Sequence, residues 1–322
     1  LDNAGADFTK MKRELTAVVS GEAQEEKTTC LADYIERFAD TKGRKGTAEL
    51  YRLTARKVRE YDGGAMFGSV DKAWLDSFDG FMGEASVNYK GIMLRNIRTV
   101  FNWAIDNELT SNYPFRRYKI KQEKVAINNI SVEQLREIRD CKVEEWQGIY
   151  RDLFMLTFYL CGINPVDLLH LKASDVRNGR IRYKRAKTGR LYDIPIPKPA
   201  ERIISRYRGR EWLLRPLDGY LDYKDFCHHW NDALKKIGRK EIVPDKVGRL
   251  RKVVWHPIVE GMTVYTARYT FASIGAELEI PRETIALCLG HSWADVTSHY
   301  IAYDTKRIDD AVARIVAYVE GS

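Results

Sequence analysis

The sequence predicts a mainly α-helical protein in two bodies, the second of them α+β with a small three-stranded antiparallel sheet. Three features point there. Residues 29–107 contain no proline, keep apolar residues at helical spacing, and gather glycines at breaks such as Gly43, Gly46, Gly63, Gly64 and Gly83. Residues 176–196 change to a strand-like pattern around two turn signals, Asn178–Gly179 and Thr188–Gly189. Helical patterns then resume to the C-terminus. A length of 322 residues suits two domains.

In chain order, residues 1–28 are polar and weakly helical, an arm or the remnant of a linker. The chain begins at Leu1 rather than Met, which leaves room for a preceding piece, and nothing near the start reads as a signal peptide. Helices are expected near 29–41, 46–61, 70–82 and 86–107. In the last, Met93, Ile97, Val100, Phe101 and Ala104 form one apolar stripe. Arg95, Arg98 and Asn102 lie on the opposite face, which is either solvated or turned to phosphates. Pro114 stops this helix, and residues 111–128 read as a basic linker carrying Arg116, Arg117, Lys119, Lys121 and Lys124.

Ser131 and Gln134 form a capping box that opens the second body. Residues 150–161 are apolar on nearly all sides, as a central core helix would be. Asn164 then stands as an N-cap, Pro165 as a first helical residue and Asp167 as a first-turn acid. After the sheet, helices are expected near 197–209, 222–237, 264–278, 281–288 and 305–319.

Composition narrows the function. Hydrophobic residues make up 44% and charged residues 30%, enough for a sizeable core and too apolar for disorder. No run of about 18 apolar residues exists to span a membrane. The net charge of +8 favours an anionic partner without identifying one. Cys30, Cys141, Cys161, Cys227 and Cys288 are odd in number, scattered and without a CxxC pair, which argues against a disulfide framework or a zinc site. A cytosolic, metal-free protein is expected.

The chemistry gathers between residues 265 and 300. Arg268 sits in YTARYTFAS, a helix from Pro281 ends in Leu289–Gly290–His291, and Tyr300 follows nine residues on. Upstream, Lys187 sits in the basic hairpin YKRAKTG. These are the side chains needed to break a phosphodiester without a metal. A tyrosine attacks phosphorus and holds it covalently. An arginine neutralises the non-bridging oxygens with forked hydrogen bonds. A lysine gives a proton to the departing oxygen. A histidine donates to phosphate or manages the tyrosine proton.

In this order, with 23 residues from Arg268 to His291, the segments resemble the tyrosine recombinases, the phage-integrase family. The resemblance covers roughly 29–320, and CGINPVDLLHL with YKRAKTG is similar to integrases of Bacteroides-type mobile elements. It implies a core-binding domain of SAM-like type at 29–110, a linker at 111–128, and a catalytic domain at 129–322 ending in an exchange helix that docks into a neighbouring protomer. It implies Tyr300 as the nucleophile of a 3′-phosphotyrosine, His291 and Arg268 on the scissile phosphate, and Lys187 as general acid. No cofactor or metal is implied. The implied partner is double-stranded DNA, bound by a homotetramer that is monomeric when free, with a host DNA-bending protein as a candidate accessory. The implied place is the nucleoid of a bacterial cytoplasm. A DNA invertase and a catalytically impaired DNA-binding relative are the alternatives.

Two positions depart from the family. Asn164 stands where an arginine is usual, and Tyr265 where a histidine is usual. Asn164 supplies no charge. Arg185 is the expected substitute, on the premise that the strand continues through Lys187, so that both side chains share a face. Tyr265 donates a hydrogen bond but is a poor base at neutral pH. Arg95, Arg98, Arg116, Arg117, Lys119 and Lys121 are the expected DNA contacts. Trp293 is expected to pack beneath the site, and His256 and His299 to be bystanders.

Overall fold

The structure is a computed structural model and describes residues 30–124, 128–220, 222–244, 251–290 and 305–321. The chain divides into two compact units at residues 125 and 126.

The first unit is helical: α1 (Leu31–Asp40), α2 (Lys45–Asp62), α3 (Lys72–Phe81) and α4 (Val87–Asp106). Short polar side chains start two of them. Asp71 accepts from the Trp74 amide at 2.7 Å, and Ser86 from the Tyr89 amide at 3.3 Å. The stripe of α4 is fully buried, and its residues join Leu31, Ile35, Val58 and Phe78 in one core. Of the stretch expected as a linker, residues 111–124 belong to the first unit. Pro114–Arg117 form a 3₁₀ turn whose Pro114 and Phe115 are buried, and Tyr118 and Ile120 pack on the same core. Asn88 and Glu123 exchange hydrogen bonds of 2.9 and 3.2 Å that tie this stretch to α4. Apolar residues at every second or third position give the basic stretch a face to bury. Residues 1–29 and 125–127 lie outside the described residues, and with them the expected arm.

The second unit is built on α6 (Glu145–Tyr159), whose residues 152–159 are all buried. Around it lie α5 (Val132–Asp140), α8 (Lys198–Arg206), α9 (Tyr223–Leu234) and α10 (Val264–Glu277). Phe158 meets Phe271 edge-on at 5.7 Å, and the Trp230 indole donates to the Tyr150 carbonyl at 2.8 Å. A short α7 (Pro165–Leu169) leads to β1 (Val176–Arg177), β2 (Arg180–Lys184) and β3 (Leu191–Pro195), paired antiparallel in that order. Asn178 and Gly179 both take positive φ, 51° and 70°, as a type I′ turn requires.

A second sheet is an addition to the expected fold. β4 (Gly238–Pro244) and β5 (Arg251–Pro257) form a two-stranded ribbon. It is anchored on the start of α6, where Trp255 meets Trp146 at 6.4 Å and Lys240 pairs with Glu144 at 3.0 Å. Each strand carries an adjacent pair of β-branched residues, Ile242–Val243 and Val253–Val254, and β-branched enrichment is the signal for it.

The chain closes with α11 (Arg282–Leu289) and α12 (Thr305–Glu320). The expected exchange helix is docked in cis. Ile308, Val312, Ile315, Val316 and Val319 are buried in the core of their own unit. Arg136 and Arg139 donate to the Tyr318 and Val319 carbonyls, satisfying a helix C-terminus with cations. Arg180 grips Asp309 through two bonds from Nη1, at 2.8 and 2.7 Å. In a single chain the apolar stripe has no other surface to cover it, so it folds back. Ile315→Ala in the free chain is therefore expected to cost about 2–5 kcal/mol in urea unfolding of the second unit. An unchanged midpoint would show that this helix contributes nothing in cis.

Candidate active site

The expected chemical groups come from four places in the second unit. Asn164 is at the N-cap position of α7, yet its side chain caps nothing. It lies between Arg185 and Tyr265 instead. With the amide oxygen turned to Arg185, it accepts from Nε at 3.2 Å and Nη2 at 2.9 Å, and its Nδ2 donates to the Tyr265 hydroxyl at 3.2 Å. Asn164 thus accepts from an arginine.

The strand premise for Arg185 does not hold. β2 ends at Lys184, and residues 185–190 form a turn. The Arg185 carbonyl accepts from the amides of Thr188 and Gly189, at 3.3 and 2.8 Å, and the Arg185 amide donates to the Arg190 carbonyl at 2.8 Å. Gly189, at φ 69°, supplies the left-handed residue that closes the turn. Lys187 is exposed at its tip. Asn164, Asp167, Arg185, Lys187 and Tyr265 line one cavity of about 470 Å³, whose far wall is Tyr223, Cys227 and Asn231 of α9.

Asp167 is the site residue that sequence reasoning missed, since its pattern marks it only as a first-turn acid. It is buried, its Oδ1 accepts from the Ala186 amide at 2.9 Å, and its Oδ2 lies 4.0 Å from Arg185 Nε. Its position one turn after Asn164 puts both on one side of α7. Burial raises its pKa above the ordinary carboxylate value, against the pull of the Ala186 amide and Arg185.

Arg268 lies one turn beyond Tyr265 in α10 and is buried. Its Nη1 donates to the Gly162 carbonyl at 2.7 Å and its Nη2 to the Leu289 carbonyl at 2.6 Å. Burial lowers its pKa, and the neighbouring Arg185 charge pushes the same way while the Tyr192 phenol opposes it. Arg268 is not among the residues that line the cavity. Tyr265 is half exposed, and its ring meets that of Tyr269 at a 41° tilt, 6.3 Å between centroids.

His291, Trp293, His299 and Tyr300 lie outside the described residues. His256 is on β5, bound to Glu241 at 2.7 Å, and does not line the cavity. Among the described residues, no group of three or more His, Cys, Asp or Glu is placed to hold a metal ion, and no helix is long and apolar enough to cross a membrane. In the first unit Arg116, Arg117, Lys119 and Lys121 are exposed, Lys121 standing 3.9 Å from Asp79. Arg95 and Arg98 are half-buried. The Arg95 guanidinium lies over Gly91, where a Cβ would come within 3.1 Å of it.

Known proteins share both units. Residues 30–120 match the model of the phage integrase SAM-like domain. The chain as a whole has the fold of the tyrosine integrases. A lambda integrase dimer bound to a COC′ core site superposes with a TM-score of 0.61 at 16% identity, over 91% of this chain and 81% of that one. A lambda integrase tetramer on a Holliday junction gives 0.62 at 15%, over 90% and 81%. The Tn1549 transposon integrase (residues 82–397) with circular intermediate DNA gives 0.60 at 14%, over 87% and 98%. No curated protein sequence matches the chain. Within this fold, Asn164, Arg185 and Lys187 line one cavity.

The raised pKa of Asp167 sets a pH dependence. A carboxyl with a raised folded pKa favours the folded state while protonated, and that contribution is lost as pH rises from about 4 through the raised value. Asp167→Asn keeps an acceptor for Ala186 and removes the titration. Unfolding free energy measured against pH should fall less steeply over that window in the variant than in wild type. Identical slopes would place the Asp167 titration elsewhere.

Proposed function

We propose that the protein is a site-specific tyrosine recombinase that cuts and rejoins duplex DNA through a 3′-phosphotyrosine, and that it serves a mobile element. The observation that carries this reading is the convergence of Arg185 and Lys187 on one cavity, in an integrase fold, with the Arg185 charge near buried Arg268. Tyr300 is the nucleophile. Its phenolic oxygen forms a bond to phosphorus, the bond from phosphorus to the 5′ oxygen breaks, and Lys187 gives that oxygen its proton. His291 takes the phenolic proton or hydrogen-bonds the phosphate, and Tyr265 donates a hydrogen bond to the phosphate. Arg268 and Arg185 neutralise the non-bridging oxygens. The 5′ hydroxyl of a partner strand then reverses the step, so bond energy is conserved and no cofactor is consumed.

Arg185 takes the part of the family arginine absent at Asn164. Its guanidinium, accepted by the Asn164 amide and close to Asp167, is already aimed from the hairpin into the cavity. This favours an active enzyme over an impaired relative. Arg95, Arg98, Arg116, Arg117, Lys119 and Lys121 belong to the DNA-binding surface of the first unit, where backbone contacts dominate affinity. The active assembly is a tetramer on two DNA sites, as the lambda integrase forms on a Holliday junction. A DNA invertase shares this chemistry, and the DNA around the gene separates the two: inverted repeats about a promoter, or the end of an element.

On a nicked suicide substrate carrying the cognate site, the wild-type chain is expected to accumulate a covalent protein–DNA adduct. Tyr300→Phe should form none, and an adduct in that variant would refute the reading. Arg185→Ala should slow cleavage by about 10²–10³-fold with half-site binding retained. Wild-type cleavage in that variant would return the missing charge to some other residue.

A further inference from the structure

Tyr192 is absent from the chemistry above, yet the site is joined through it. It stands on β3, opposite Tyr183 of β2, with the two rings stacked at 5.0 Å. Its hydroxyl donates to the Leu289 carbonyl at 2.9 Å. That carbonyl also accepts from Arg268 Nη2 at 2.6 Å. A carbonyl oxygen offers two lone pairs, so these two donors fill it. One backbone atom at the end of α11 therefore fixes the buried guanidinium and the hairpin together. The Tyr192 ring lies two residues past Arg190, where the turn bearing Arg185 and Lys187 rejoins the sheet.

Glycine makes the joint possible. Gly290 ends α11 in the left-handed region at φ 64°, and a Cβ there would collide with the Tyr192 ring. Gly162, at φ 63°, lies so close to Arg268 that a Cβ would come within 2.7 Å of the Arg268 Cα. Burial raises the Tyr192 pKa, so its hydroxyl keeps its proton and stays a donor. The Leu289–Gly290 pair thus does more than stop a helix before His291.

We propose that Tyr192 is a positioning residue of this active site: through the shared Leu289 carbonyl, its hydroxyl sets the hairpin cations in register with Arg268. The proposal rests on the recombinase reading for its catalytic consequence, and on the hydrogen-bond geometry for the joint itself. Tyr192→Phe removes the hydroxyl and keeps the ring stack. Tyr183→Phe, which removes the other hydroxyl of the stack without touching Leu289, is the control.

The test is single-turnover cleavage of the nicked suicide substrate, with DNA affinity measured alongside. Tyr192→Phe should cleave on the order of 10²-fold more slowly than wild type with affinity unchanged, while Tyr183→Phe cleaves like wild type. The deficit should shrink when the scissile phosphate is replaced by a neutral methylphosphonate, which needs less from a well-aimed guanidinium. Wild-type cleavage by Tyr192→Phe overturns the proposal, and so does an equal deficit on both linkages, the mark of general structural damage. If the wild-type chain forms no adduct, the recombinase reading fails by itself. The joint is then judged by amide hydrogen exchange, where Tyr192→Phe must speed the Gly189 and Gly290 amides together; unchanged exchange at either one overturns it.

Discussion

A guanidinium buried in the second unit organises everything around it. Arg268 is held at its base by a helix packed on the central α6, and its two outer nitrogens donate to the carbonyls of Gly162 and Leu289. A buried charge without such partners is costly, and the energy is recovered only when its donors are matched. The two carbonyls lie in the turn after α6 and in the last turn of α11. The arginine therefore ties these two places together. The strand β3 joins the same point through Tyr192.

Around that anchor the site collects positive charge. The Arg185 charge lowers the proton affinity of Arg268, and Lys187 lines the cavity that Arg185 also lines. Asn164 and the buried Asp167 hold Arg185 from the α7 side, and the Asp167 carboxyl pins the Ala186 amide. The hairpin carries the charge at this point, and Asn164 and Asp167 supply the acceptors. An arrangement of this kind is complementary to an anion with several oxygens.

Apolar surface governs the outer parts. The basic stretch after α4 is attached to the first unit because Pro114, Phe115, Tyr118 and Ile120 cover its core, leaving Arg116, Arg117 and Lys119 outward. The last helix lies on its own unit because its stripe of isoleucine and valine finds a matching groove, and because Arg136, Arg139 and Arg180 bind its two ends. Exchange with a neighbouring chain would have to replace all of these contacts.

Local patterns are legible in the amino-acid sequence. The four helices of the first unit, the capping box at Ser131, the buried run in α6 and the two hairpin turns follow from spacing, capping and the left-handed tolerance of Asn and Gly, which are properties of a few neighbouring residues. The order of Lys187, Arg268, His291 and Tyr300 likewise points to phosphodiester chemistry from sequence alone. What only the tertiary structure decided depends on residues far apart in the chain. That Arg185 reaches the cavity from a turn and not from a strand, that Asn164 accepts where a cap was expected, that Asp167 is buried beneath the hairpin, and that Tyr192 and Arg268 share one carbonyl are all consequences of packing between α7, the hairpin, α10 and α11. Periodicity cannot show them, because a hydrogen bond across a hundred residues leaves no local trace in the chain.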